Sequence, residues 1–295
     1  MSQIYFGIAG WSYKDWKGIV YPSSATARFD ELGYIASFFD VVELNNTFYR
    51  IPESKMVESW VKRVGHNPQF RFTVKVFQGF THEKKPIDPD EIRQFFGVLE
   101  PLMKKERLGA LLAQYPTAFK YDPENVERLL SLAKIFQEYP LVVEFRHRSW
   151  VAEPVREIMA DLNVSYCNVD EPVFRHHVKP SNYVTGPVGY VRLHGRNYQS
   201  WYSGSRDERY NYLYSEEELD QWIPRIQEMG TQAKDVYVIG NNHFRGQAPA
   251  NILQLKAKTI QEPVPVPETL LEAFPNLKKV AKKRQKKGQG NLFKE

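Results

Sequence analysis

Polar and charged side chains recur two residues apart in four short segments that otherwise read as apolar. Glu43 and Asn45 flank Leu44, Thr73 and Lys75 flank Val74, and Glu144 and Arg146 flank Phe145. Arg192, His194 and Arg196 follow one another at the same interval, opposite Val191 and Leu193. Alternate residues of a strand share a face, so each segment offers one polar face and one apolar face. The cationic set, Lys75, Arg146, Arg192 and Arg196 joined by His194, suits a phosphate or carboxylate, because guanidinium groups bind such anions bidentately. Glu43 and Glu144 are the candidate acid and base, and His147, His194 or His243 could shuttle protons near neutrality. A buried structural network of Glu43 and Glu144 with Lys75, Arg146 and Arg192 is the competing reading. Burying ions costs on the order of several kcal/mol each, so a functional origin is the stronger expectation.

The elements that must position these residues follow from the apolar pattern. Strand-length apolar runs occur at 4–9, 41–45, 71–77, 108–114, 141–146, 164–169, 189–194 and 236–239, with helical patterns between them. Asp122-Pro123 reads as a helix cap followed by proline at the first helical position, and Val126, Leu129, Leu130, Ala133 and Phe136 then share one face. Ser215 and Glu218 form a capping-box pattern ahead of Leu219, Trp222, Ile223 and Ile226. Eight successive βα units predict an α/β chain folded as a single (β/α)₈ TIM-type barrel. A doubly wound open sheet is the alternative, but the first strand lacks the glycine fingerprint of a dinucleotide site. In a barrel the polar faces point into the lumen near its C-terminal mouth, where Trp11, Gln114, Asp170, Asn241, Asn242 and His243 join them at strand ends. The following loop, 197–214, mixes Tyr198, Trp201, Tyr202, Tyr210, Tyr212 and Tyr214 with Arg206 and Arg209. Such a loop can stack bases or sugars while binding phosphates, although a lid packed on the barrel rim would have the same composition.

The pattern decays after Leu255 into a proline-containing linker, so the barrel is expected over 1–260 and a linker with a basic, disordered tail over 261–295. The last eighteen residues hold eight lysines and arginines against Glu295 alone, whereas the whole chain carries only +5. The basicity therefore belongs to the tail, and an anionic ligand must be argued from the mouth itself. Gln289, Leu292 and Phe293 sit in a pentapeptide that resembles the segment by which bacterial DNA-metabolism proteins dock on the sliding clamp; Gly290 and Asn291 depart from its usual inner positions. No apolar segment approaches the roughly 20 residues needed to span a bilayer, so no membrane association and a cytoplasmic location are expected. The single cysteine, Cys167, lies in an apolar strand and reads as a buried structural thiol.

Seven stretches in order carry a family resemblance: Gly7 to Tyr13 with Trp16, Tyr21 and Pro22; Val42 to Tyr49; Phe72 to Lys75 with Thr81-His82; Leu108 to Gln114 with Pro116; Val143 to His147 with Ser149-Trp150; Arg192 to Arg196; and Asn241 to His243. In these the chain resembles the YecE-like family, domain of unknown function 72. Its pattern commonly has Phe before Asn-Asn-His where this chain has Gly240, a difference placed beneath the mouth. The resemblance implies a TIM-type barrel and supplies no reaction.

The leading expectation is an enzyme acting on a phosphate-bearing substrate, a small anion or nucleic acid. Glu43, Glu144 and His194 would do acid-base work, and Trp11, Asn45, Lys75, Arg146, His147, Arg192, Arg196, Trp201, Asn241, Asn242 and His243 would bind. Two alternatives stay open: a non-catalytic ligand- or DNA-associated binding protein, and a glycoside hydrolase using Glu43 and Glu144 with Trp11 and Trp201 as sugar platforms. Against the latter, neighbouring cations would hold both carboxylates ionised. No motif names a cofactor, and a divalent metal is not favoured because no HxH or HExxH spacing is present.

Overall fold

Alternation between two faces recurs in all eight strands of the computed structural model, which describes residues 2–202 and 205–282. The strands are β1 (Gln3–Ala9), β2 (Val41–Leu44), β3 (Arg71–Lys75), β4 (Leu108–Gln114), β5 (Leu141–Glu144), β6 (Ser165–Asp170), β7 (Val188–Leu193) and β8 (Asp235–Gly240). Each pairs in parallel with the next, and β8 returns to β1, which closes the barrel. Register places Ala9 beside Glu43 and Glu43 beside Thr73, and likewise Gln114 beside Glu144.

Two apolar clusters follow from this alternation. Outward-facing Val42, Leu44, Phe72, Val74, Val143, Val191 and Leu193 pack with the surrounding helices. Inward-facing Tyr5, Val41, Leu112, Val142, Cys167, Tyr190 and Tyr237 fill the lumen. Glu43, Glu144 and Arg192 lie on the inward face, one layer above this plug. Burial on both faces is what a parallel barrel demands, and Glu43, Glu144 and Arg192 occupy the end of the lumen that opens upward.

The helices form where the local signals placed them. In the helix Pro123–Ile135, Asp122 caps by accepting from the Asn125 N–H at 2.9 Å, and Leu129 and Ala133 are buried. Ser215 and Glu218 make a reciprocal capping box at the start of Glu216–Asp220. The last long helix, Gln247–Ile260, lies on β1 and β8. Its close approach depends on Gly240, where a Cβ would stand 2.7 Å from Ile252 Cγ1 and 3.1 Å from Ala248 Cβ.

The helix ends at the expected limit of the barrel, but the chain beyond it does not lead away as a linker. Val264, Leu270 and Leu277 are buried in the main core, and Val264 bridges alongside Ala281, its N–H donating to the Val280 carbonyl at 3.0 Å and its carbonyl accepting from the Lys282 N–H at 2.8 Å. The three prolines of 263–267 leave apolar side chains between them, and these are what return the strap to the barrel wall. The basic run from Lys283 onward and the Gln289, Leu292 and Phe293 element lie outside the described residues.

Candidate anion-binding pocket

Tyr190, two residues before Arg192 on β7, begins the polar layer. Its hydroxyl lies 3.0 Å from Glu43 Oε2 and 2.8 Å from Thr73 Oγ1. Burial, reinforced by Glu43, pushes that phenol well above its ordinary pKa, so it stays a proton donor to the carboxylate. Arg192 closes over Glu43 with two parallel contacts, Nη2 to Oε1 at 2.5 Å and Nε to Oε2 at 3.0 Å. Its third nitrogen, Nη1, reaches Glu144 Oε2 at 2.6 Å.

Glu144 is shared. Its other oxygen, Oε1, faces Arg146 Nε at 2.5 Å, and Arg146 Nη1 bonds Glu171. Arg146 Nη2 lies 3.0 Å from His194 Nε2, and the opposite ring nitrogen is 2.9 Å from the Asn241 amide. Burial alone would raise the Glu144 carboxyl, but Arg146 and Arg192 overcome this and hold it well below the usual carboxylate range. Burial, with the Arg146 charge added, holds the His194 imidazole well below its ordinary range. Glu43, Glu144 and His194 are all fully buried. The acid-base set expected from the sequence therefore forms a structural layer of ion pairs: Glu144 is a fixed anion, and His194 is neutral at pH 7 and cannot shuttle protons near neutrality.

Above this layer opens a cavity of about 280 Å³. Lys75, Arg146, Arg192 and Arg209 line it, and among the described residues no carboxylate does. Asn45, Gln114 and Asn241 add amides, and Tyr49 and Tyr210 add phenols. Each guanidinium carries five N–H donors, of which the contacts to Glu43, Glu144, Glu171 and His194 engage only some. Both Arg146 and Arg192 border the cavity with their positions already fixed, the arrangement that binds an anion with least reorganisation. Lys75 Nζ donates to Gln114 Oε1 at 2.9 Å and stands 3.9 Å from the centre of the Phe48 ring.

The structure thus gathers Asn45, Lys75, Arg146, Arg192 and Asn241 at one opening, with Glu43, Glu144 and His194 directly beneath. Other expected site residues go elsewhere. Arg196 turns outward into a two-pronged pair with Asp170, 2.7 Å at each nitrogen, and also reaches Glu218. Trp11 packs edge-on against Trp60 at 5.6 Å. His147 accepts from the Ser149 N–H and so caps the turn Arg148–Val151. Asn242 donates to the Tyr212 carbonyl and to Asn251, which ties down the loop after β7. His243 stacks on Tyr13 at 4.4 Å and lies 5.2 Å from Tyr210, at the rim. Trp201 is buried beneath the Arg209 guanidinium, 5.9 Å away, and so supports the loop instead of offering an open platform.

Glu171 was not singled out from the sequence, yet it is buried, pairs with Arg146 and lies 3.0 Å from His177 Nδ1. Its signal was a second acid directly after Asp170 at the end of β6. Tyr190 extends the same-face series of Arg192 and His194, which is the signal that places it in the layer. Among the described residues no group of three or more His, Cys, Asp or Glu side chains is arranged to hold a metal ion, and no helix is long and apolar enough to cross a membrane.

Similarity to known proteins agrees with this architecture. Residues 5–273 match the family model described as protein of unknown function DUF72. The chain is 32% identical over 268 residues to the UPF0759 protein YunF of Bacillus subtilis, which covers 85% of this chain and 93% of that protein. A crystal structure of a DUF72 family protein from Thermotoga maritima is 37% identical, with a TM-score of 0.79 over 88% of this chain and all of its own. One from Enterococcus faecalis is 27% identical, with a TM-score of 0.77 over 90% of this chain and 98% of its own. The protein therefore belongs to the DUF72 family of TIM-type barrels.

Proposed function

We propose that the mouth of the barrel binds a small molecule through its phosphate or carboxylate group and that the protein is an enzyme acting on that molecule. One observation carries this reading: among the described residues four cationic side chains and no carboxylate line the cavity. Glu43, Glu144 and Glu171 lie beneath and offset most of that charge, so the opening keeps a modest positive balance. That balance suits one anionic group better than the backbone of a nucleic acid, whose affinity grows with every phosphate neutralised. It also speaks against a glycoside hydrolase, since Glu144 is held ionised and Trp11 and Trp201 do not line the cavity.

A non-catalytic binding role has one observation in its favour: the groups best suited by type to acid-base chemistry, Glu43, Glu144 and His194, are buried and engaged. Calorimetric titration with inorganic phosphate and glycerol phosphate tests the pocket. We expect saturable binding that Arg209→Ala weakens about tenfold, the loss of one charge-assisted hydrogen bond. Absence of binding, or binding indifferent to Arg209, would overturn the assignment. Turnover by the wild type in a phosphate-ester and sugar-phosphate panel then separates enzyme from binder.

A further inference from the structure

We infer that Lys75 is a nucleophile that forms an imine with a carbonyl carbon of an anionic substrate held in this pocket. The inference rests on the anion-pocket reading and adds a reactive group to it.

Lys75 differs from the arginines around it in one respect. Arg146 and Arg192 are engaged by buried carboxylates on more than one nitrogen, whereas the hydrogen bond found for Lys75 Nζ goes to a neutral amide oxygen, Gln114 Oε1, and its other close neighbour is the Phe48 ring. The Thr47 hydroxyl donates to the Lys75 carbonyl at 2.6 Å, which fixes the backbone from which the side chain rises. The charged groups that face it come from several strands. Arg192 on β7 and Arg146 after β5 repel its proton, while Glu144 on β5 and Glu43 on β2 attract it. His82, which follows the short helix Gln78–Thr81, adds no positive charge: burial, with Lys75 and Arg128 nearby, lowers its pKa to about 4.

Burial, followed by the Arg192 charge, brings the Lys75 ammonium down to about 7. At neutral pH about half of Lys75 is then the free amine, against roughly one in three thousand for a lysine at the ordinary value. Desolvation beside another cation is a recognised way of making a lysine nucleophilic toward carbonyl groups. The amine attacks the carbonyl carbon, a C–N bond forms, and a proton passes from nitrogen to oxygen to give the carbinolamine. Loss of water, with one proton taken from solvent, breaks the C–O bond and leaves the iminium; hydrolysis reverses both steps without oxidant or reductant. The iminium restores a positive charge at Nζ, and the anionic group of the bound substrate offsets it. The substrate class is thus a small aldehyde or ketone carrying a phosphate or carboxylate.

Reductive trapping tests this with glycolaldehyde phosphate as the probe and cyanoborohydride as the trap, read by peptide mass spectrometry at pH 7. At equal intrinsic reactivity Lys75 should be modified about 1,000-fold faster than surface lysines, as its free-amine fraction requires. Inorganic phosphate should slow the reaction at Lys75 alone, and Lys75→Arg should abolish the adduct there while the far-ultraviolet circular dichroism is unchanged. Adducts spread over surface lysines with Lys75 unmodified, while calorimetry still shows phosphate bound, would overturn the imine and leave the pocket standing. Labelling of Lys75 that phosphate does not slow would overturn the pocket and leave the amine's reactivity standing.

Discussion

Arg192 grips Glu43 with two parallel nitrogen–oxygen contacts, 2.5 and 3.0 Å long, at the centre of the barrel lumen. This pair, with Glu144 bridging Arg192 to Arg146, is a scaffold that fixes cationic groups at the floor of an open cavity.

Neutralising either carboxylate should therefore act on stability before it acts on chemistry. Glu43→Gln leaves Arg192 with Glu144 alone, and Glu144→Gln leaves Arg192 with Glu43 alone and Arg146 with Glu171 alone, so each removes one of two counter-ions and should cost up to about 3–5 kcal/mol. Thermal and urea denaturation should show that loss in both variants. A Glu144→Gln protein as stable as the wild type would mean that the carboxylate is not holding the arginines.

Lys75 imposes a pH dependence whose sign follows from its lowered pKa. Between about 7 and the ordinary value of 10.5 the unfolded chain binds more protons at this position than the folded one, so stability rises with pH across that window. Below pH 7 the full cost of folding a charged Lys75 applies. Lys75→Met should consequently raise the melting temperature by several degrees at pH 6 and by less at pH 9. An equal shift at both pH values would contradict the depressed pKa.

Gly240 should not tolerate a side chain. A Cβ would press on Ile252 and Ala248 of the last helix, so Gly240→Ala should destabilise by about 1–3 kcal/mol through overpacking. Gly240→Phe should cost more than alanine, because the ring extends beyond the Cβ into the same helix. Denaturation midpoints of the two variants check the order.

Truncation after residue 282 separates tail from mouth. The shortened chain should bind phosphate as the full chain does, because the cavity lies wholly within residues 45–241. Affinity for DNA at low salt should fall, since the lysine run carries the net charge. Electrophoretic mobility with and without the tail reads the difference.

The fold and much of the pocket were legible because a parallel barrel buries both faces of every strand, which makes inward charges conspicuous. Glu43, Thr73, Glu144 and Arg192 stand where the two-residue period placed them. The period could not say what happens once a strand ends. After Leu193 the chain turns through Gly195, whose φ of 88° is a left-handed conformation, and Arg196 leaves the lumen for Asp170 and Glu218. His147 likewise lies beyond Glu144, the last residue of β5, and serves a turn. Nor could spacing show that Glu43 and Glu144 share Arg192, a contact between strands far apart in sequence that sets their role. Glu171 lies outside any two-residue period, and its place in the layer is set by its contact with Arg146.

The most direct test of the pocket is a crystal structure determined after soaking in phosphate or tungstate. Anion binding at this mouth predicts tetrahedral density in the cavity, bounded by the side chains of Lys75, Arg146 and Arg192. Water alone in that cavity at saturating anion, or a metal cation coordinated by Glu43 and Glu144, would contradict it.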